Sequence, residues 1–240
     1  MSASTSASVL EGAEVVESFD DLGVLAFTTG RAAGSFGTGT EEPVREVMAR
    51  WTALRSLVGG CSARLCTATQ VHGNVVVEHA GDWRGWLRGE DADGHLSTAR
   101  GTAMAVTVAD CVPVFLAHPS GAVAALHSGW RGTAARITEQ ALAQFRARGL
   151  EAREFRLHCG PAICGKCYEV SASVFAELTG RDPGKPTTID LRALIADHAR
   201  AAGVKQITTS ALCTRCDNYR FFSHRAGDPG RQIGVIVARV

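Results

Sequence analysis

The chain has no apolar run near the roughly 18 residues that a membrane-spanning helix requires, which argues against a membrane protein. It has no excess of either charge. Its 25 Lys and Arg balance 24 Asp and Glu, leaving a formal net charge of +1. Such a balance gives no electrostatic footprint for nucleic acid or an anionic membrane. The densest basic stretch, RARGLEAREFR at 146–156, is interrupted by glutamates and reads as a solvated helix end and loop. The first residues, MSASTSASVLEGAEVV, lack the basic and apolar regions of a secretory signal. A short disordered tail over 1–12 and a cytoplasmic protein are expected. Without export, the 8 cysteines read as free thiols or metal ligands rather than disulfides.

No internal repeat and no long linker divides the 240 residues, so 13–240 is expected to form one domain. Apolar alternation predicts strands in GVLAFTT, ARLCTATQ, NVVVEHA, TAMAVTVAD, VPVFLAHP, AVAALHSG, FRLHCGP, KQITTSALC and QIGVIVARV. Pro119–Gly121 is a tight-turn signal that makes a hairpin of the strands on either side. Helices are expected at 43–59, at 133–149, in SASVFAELTG and in LRALIADHARAAG. RAAGSFGTGT reads as a Gly-rich loop, and 81–95 as a polar loop with two exposed tryptophans, Trp83 and Trp86. Strands outnumber helices in mixed order, which predicts an α+β domain rather than a doubly wound one.

Three segments carry chemistry: Gln70-Val71-His72-Gly73, Ala109-Asp110-Cys111, and His127-Ser128-Gly129-Trp130-Arg131-Gly132. Each follows an apolar strand, where a rigid scaffold presents functional side chains. One thiolate and two imidazoles, from His72, Cys111 and His127, suit Zn²⁺. Three protein ligands leave a fourth position open, as catalytic zinc sites require. A histidine at a strand end is also a common structural residue, and spacing alone does not decide between the two. SGWRG directly precedes the helix expected at Thr133. Gly129, Gly132 and the first helical N–H groups could receive an anion there, with Arg131 as a guanidinium fork. An ordinary turn with a solvated Arg131 is the competing reading.

QVHG, DADG, ADC, HSGWRG, the GPAI…YEV run at 160–170 and CT…FFSHRAGDPGRQIGV at 213–235 occur in that order. Together they resemble the laccase-domain family, also called the polyphenol-oxidoreductase or purine nucleoside phosphorylase/peptidoglycan-editing-factor family. The resemblance runs from about Gln70 to the C-terminus. It implies a single domain of mixed β-sheets flanked by helices, in α/β/β/α-like layers. It implies one Zn²⁺ per chain on His72, Cys111 and His127, and substrates that are purine nucleosides with phosphate. It also implies deamination of adenosine, phosphorolysis of methylthioadenosine and a link to peptidoglycan precursors. The early loop reads SFGTGTEEP where the family carries Ser-Leu-Asn-Leu-Gly. FFSHRA replaces FFSYRR, keeping Arg225 but not a second arginine. These departures leave substrate choice open. Copper is not expected, because the 8 histidines include no His-x-His pair.

Deamination needs a carboxylate to move a proton, and Asp110 and Asp93 are the candidates. Asp110, next to a ligand, could instead orient it. Phosphorolysis needs phosphate held near the ribose, which points to Arg131, with Arg225 assisting and Gln70 near the substrate. Two other classes remain open. Cys111 could be a nucleophile with His127 as its base, in an amide or thioester hydrolase. The pocket could also sense a nucleoside or precursor without catalysis and dock on another protein. Two C-x-x-C pairs, Cys164/Cys167 and Cys213/Cys216, have the ligand types of a structural zinc site. They enclose 45 residues, against about 15–20 in a zinc ribbon, so a second zinc is not expected. Cys61, Cys66 and Cys159 read as core residues.

Overall fold

The computed structural model describes residues 9–240. Two mixed six-stranded sheets stack face to face. The first has the order β1 (Glu14–Val15), β2 (Val24–Thr28), β14 (Gln232–Ala238), β7 (Thr102–Val108), β3 (Arg64–Ala68), β5 (Gly85–Gly89). The second runs β13 (Gln206–Thr209), β10 (Arg156–Cys159), β8 (Val112–Ala117), β9 (Val123–Ser128), β6 (Gly94–Ser97), β4 (Val76–Glu78). β11 (Glu169–Val170) and β12 (Thr187–Thr188) form a small separate pair. Helix α1 (Val44–Val58) covers the first sheet. Helices α2 (Trp130–Ala134), α3 (Ile137–Arg146), α4 (Ala172–Thr179) and α5 (Leu191–Ala201) lie on the side of the second. The domain is α+β, in α/β/β/α layers.

The central strands are apolar throughout because both of their faces are covered. Along β8, Val112, Val114 and Leu116 face the helices, while Phe115 and Ala117 face the other sheet. Along β14, Ile233, Val235 and Val237 face α1, and Ile236 and Ala238 face inward. At Gly234 the sheets approach so closely that a Cβ would stand 2.9 Å from Pro113 and 3.0 Å from Phe115.

The β8–β9 hairpin forms as expected, in antiparallel register. Three elements differ from expectation. Residues 81–95 are not one polar loop. They contain β5 and β6, short strands that pair in parallel with β3 and β4. Trp86 stacks on Trp51 at 5.0 Å and Trp83 packs on the inter-sheet core, so both are half-buried rather than exposed. The helix expected at 133–149 is two helices, and the first begins at Trp130. Gly129 caps it in extended conformation. Left-handed Arg136 breaks the chain, and the Asn74 side chain donates to the freed Ala135 carbonyl at 2.8 Å. The tail expected over 1–12 falls mostly outside the described residues. Within it, Val9 is buried against the α1 core.

Next to the site lies a buried histidine pair, His79 Nε2 to His95 Nδ1 at 3.0 Å. Burial, and then the neighbouring His79, push His95 down to about 3. The unfolded chain takes up a proton near pH 6.5 that the folded chain refuses. Stability from this group is therefore full above pH 6.5 and is lost as pH falls toward 3. Denaturant unfolding between pH 7 and 4.5 should be steeper in pH, by about one proton, in the native chain than in His95→Gln.

Candidate active site

Strand register assembles the site. β8 and β9 pair Val112 with Ser128, so Cys111 and Gly129 emerge side by side at one end of the hairpin. β9 also pairs with β6, and the His127 N–H donates to the Asp93 carbonyl at 2.7 Å. β4 pairs with β6 on the other side, which carries the 70–75 turn, and His72 with it, over Asp93. The ligand atoms of His72, Cys111 and His127 lie within 4.8 Å of one another. Their burial is graded: His127 is buried, Cys111 half-buried and His72 exposed.

Asp93 is wholly buried and accepts four hydrogen bonds. The N–H groups of Val71, His72 and Gly73 donate at 3.2, 2.9 and 2.7 Å, and His127 Nδ1 donates at 2.7 Å. One carboxylate thus fixes the His72 turn and the His127 tautomer, leaving Nε2 of His127 free for the sulfur side. Burial pulls the Asp93 carboxyl up, but the His127 and backbone donors hold it below the usual range. Burial also raises the Cys111 thiol, and the two imidazoles more than reverse this, holding it down at about 6. For His127, burial is outweighed by the Cys111 and Asp93 charges, which raise it to about 9. Two residues here are left-handed without being glycine, His72 (φ 61°) and Asp110 (φ 77°). Each such residue stores on the order of 1–3 kcal/mol, as functional loops often do.

Gly129 closes the back of the triad. A Cβ there would stand 2.9 Å from Cys111 Sγ and 3.5 Å from the His72 ring, although its φ of −80° suits any residue. Gly129→Ala should therefore weaken metal retention about 10-fold or more, with stability changed by about 1 kcal/mol. Chelator competition and denaturant unfolding measure the two effects separately.

The triad opens on a cavity of about 420 Å³. The Gly37–Thr40 segment of the early loop, Phe36 and Trp51 form one wall, and His224, Arg88 and Arg231 stand around it. Among the described residues, no Asp or Glu lines it. Of the residues singled out in the sequence, His72, Cys111, His127 and Gln70 reach the cavity. The Gln70 amide is committed to Thr107, accepting from its N–H at 2.7 Å and donating to its carbonyl at 2.8 Å. Asp110 points away. It accepts from Thr214 Oγ1 at 2.5 Å and from the Arg225 N–H at 2.7 Å. Arg131 lies over Trp130 and Arg225 over Tyr168, both outside the lining. Gly132 admits the Gly73 carbonyl, which a Cβ would meet at 2.9 Å. The sequence reading did not name Arg88, Arg231 or His224. The signal for His224 was its place in FFSHRA, where the family pattern has tyrosine.

A second group, Cys66, His79 and His95, is closed. Burial pushes the Cys66 thiol far up, and its S–H donates to the Ala103 carbonyl. A third group is the four cysteines of the C-x-x-C pairs, which the fold brings together despite their separation in sequence.

These features define a single-domain α+β protein of enzyme build, with a thiol–imidazole centre at the seam of two sheets. The chain belongs to the family described as multi-copper polyphenol oxidoreductase laccase, which it matches over residues 30–239. A purine nucleoside phosphorylase of Deinococcus radiodurans is 34% identical over 207 residues, 81% of this chain and 77% of its own. One of Mycobacterium tuberculosis is 34% identical over 199 residues, 80% and 78% of the two chains. Among solved structures, YlmD of Geobacillus stearothermophilus superposes with a TM-score of 0.84 at 26% identity, covering 91% of this chain and 93% of its own. The hypothetical protein YfiH of Bacillus licheniformis has the same fold, at a TM-score of 0.84 and 23% identity over 94% and 96% of the chains. No helix among the described residues is long and apolar enough to cross a membrane.

Proposed function

We propose that the chain is a zinc-dependent purine nucleoside phosphorylase, with the metal on His72, Cys111 and His127. One observation carries the choice of reaction. The cavity beside the triad is edged by Arg88 and Arg231 and, among the described residues, has no carboxylate in its lining. That setting favours a nucleoside together with an anionic co-substrate, inorganic phosphate. The donor set fits the metal, since a low-lying thiol and an imidazole whose other nitrogen is fixed by Asp93 are soft and borderline ligands. It does not build a multicopper cluster, for which His-x-His pairs are lacking. When bound, Zn²⁺ supplies Lewis-acid polarisation at the cavity side of the triad.

Phosphorolysis joins a phosphate oxygen to the ribose C1′ and breaks the C1′–N9 bond, and the base departs with a proton. Arg88 is free to bind the phosphate, since its contacts with Thr38 Oγ1 are long, 3.4 and 3.5 Å. Arg231 keeps one nitrogen on the carbonyls of 228–230 and offers the rest. The His224 imidazole makes no side-chain hydrogen bond among the described residues and can pass the proton to the departing base. Asp93 and Asp110, spent on structural donors, are poor proton carriers, which places adenosine deamination second to phosphorolysis. Methylthioadenosine is a further substrate of the same class, and a cell-wall precursor would need the cavity to admit a larger ligand.

The row Asp93–His127–Cys111 also matches an orienter, a base and a thiol nucleophile. His72, whose ring meets the His127 ring edge-on at 4.8 Å, has no part in that arrangement and supports the metal reading. Incubation of the zinc-loaded chain with adenosine should release adenine only when phosphate is present, and a chelator should stop it. Inosine as the sole product would favour deamination. Turnover that survives the chelator but not alkylation would favour the thiol hydrolase.

A further inference from the structure

The two C-x-x-C pairs lie 45 residues apart in sequence, yet their four sulfurs are within 4.8 Å of one another. The parallel β10–β13 ladder, which ends at Cys159 opposite Thr209, closes the distance, and it continues in a bridge from Ala162 to Cys213, where the Thr214 N–H donates to the Ala162 carbonyl at 3.2 Å. Buried Arg192 supports this from α5, donating to the carbonyls of Ser210 and Leu212 at 2.7 and 2.8 Å, just before Cys213. In the other pair, the N–H groups of Cys167 and Tyr168 both turn back to the Cys164 carbonyl. That tight turn depends on Gly165, where a Cβ would stand 2.9 Å from Asp190 Cβ.

We infer that Cys164, Cys167, Cys213 and Cys216 form a second metal site, a structural tetrathiolate centre for a soft divalent cation such as Zn²⁺. All four are free thiols. A tetrahedron of Zn–S bonds of about 2.3 Å has edges of about 3.8 Å. The Cys167–Cys216 separation is 3.5 Å, and no pair of sulfurs exceeds 4.8 Å, so small side-chain adjustments complete the shell. The N–H groups of Cys164 and Cys216 both donate to Cys213 Sγ, at 3.3 and 3.4 Å, the kind of contact that orients and tunes ligating sulfurs. Four thiolates around a divalent ion leave a net double negative charge, and Lys166 and Arg215, one inside each pair, are both exposed beside it. A zinc ribbon keeps its two C-x-x-C pairs close in sequence. The sheet bridge removes that requirement.

The centre has a mechanical role. It ties the 161–168 segment to the 213–216 turn. Thr214, inside that turn, holds Asp110 next to Cys111, and Tyr168, just after Cys167, lies under Arg225. The cation would thus brace the back of the candidate active site without touching substrate. The inference stands whether or not the triad holds a metal.

Elemental analysis of the full chain, saturated with Zn²⁺ and freed of loose metal, should give one equivalent more than the double variant Cys167→Ser/Cys216→Ser, whatever the triad holds. Cys111→Ala should retain that one equivalent. Because the double variant can fail to fold, Co²⁺ loading of Cys111→Ala is the deciding measurement. It should show tetrahedral cobalt bands and strong thiolate-to-cobalt charge transfer, and addition of Zn²⁺ should bleach both. A Cys111→Ala chain that is folded by circular dichroism yet binds no Co²⁺ overturns the inference. So does mass mapping that finds these cysteines disulfide-bonded in freshly reduced and refolded chain, or Co²⁺ spectra without charge transfer.

Discussion

Asp93→Ala should cost the protein about 3 kcal/mol or more in stability and lower metal affinity at the triad about 10–100-fold. The residue is wholly buried, and all its strong donors are local: three N–H groups of the His72 turn and one imidazole. Alanine leaves those donors facing a space without an acceptor, and each orphaned group costs on the order of 1–3 kcal/mol. The left-handed His72 also loses the carboxylate that holds its turn, and His127 loses its fixed tautomer. Asp93→Asn separates these effects. It keeps the volume and an acceptor oxygen for the turn, but removes the charge that His127 faces. Denaturant unfolding should show most of the stability restored in Asp93→Asn, while chelator competition should show the metal affinity still depressed. Equal recovery of both would mean that Asp93 only packs the turn.

Cys111→Ala should remove triad metal and lower turnover on the order of 10³-fold, the equivalent of about 4 kcal/mol of lost Lewis-acid stabilisation. Stability should change far less than in Asp93→Ala, because Cys111 is half-buried at a cavity edge, where its sulfur faces the two imidazoles. Removing the sulfur also removes the negative charge that, together with Asp93, raises His127, so the imidazole becomes neutral at a lower pH. Elemental analysis beside kinetics distinguishes the two chemistries. Loss of metal with loss of rate supports the zinc reading, whereas loss of rate with metal retained points to a thiol nucleophile.

Much of the layered fold is legible in the sequence, since doubly covered strands must be apolar on both faces and the chain has several such runs. The triad is legible for a related reason: His72 and Cys111 stand in turns that follow apolar strands, and His127 is the penultimate residue of apolar β9, two before Gly129. The service of Asp93 is harder to read. DADG marks the residue, but only the β6–β9 and β4–β6 pairings show that its carboxylate faces two histidine-bearing segments rather than substrate. β5 is hidden because an edge strand of GWLRG carries polar groups and takes its stability from parallel pairing with β3. The break at Arg136 has no glycine or proline to announce it. The four-cysteine cluster is invisible to spacing rules, because the parallel β10–β13 pairing of distant segments does the work of a local ribbon. Arg88 and Arg231 lie far apart in the sequence and carry no motif that joins them.

The cavity draws its walls from both sheets. Ala105 and Thr107 belong to one, His127 and the β8 end to the other, and Gly234 marks how tightly the two are pressed together. Neither layer holds the pocket alone, so no partly melted form can keep a working site. Heat inactivation and loss of the folded domain should therefore be a single event, and a stabilising change far from the chemistry would extend catalytic lifetime as directly as one beside it.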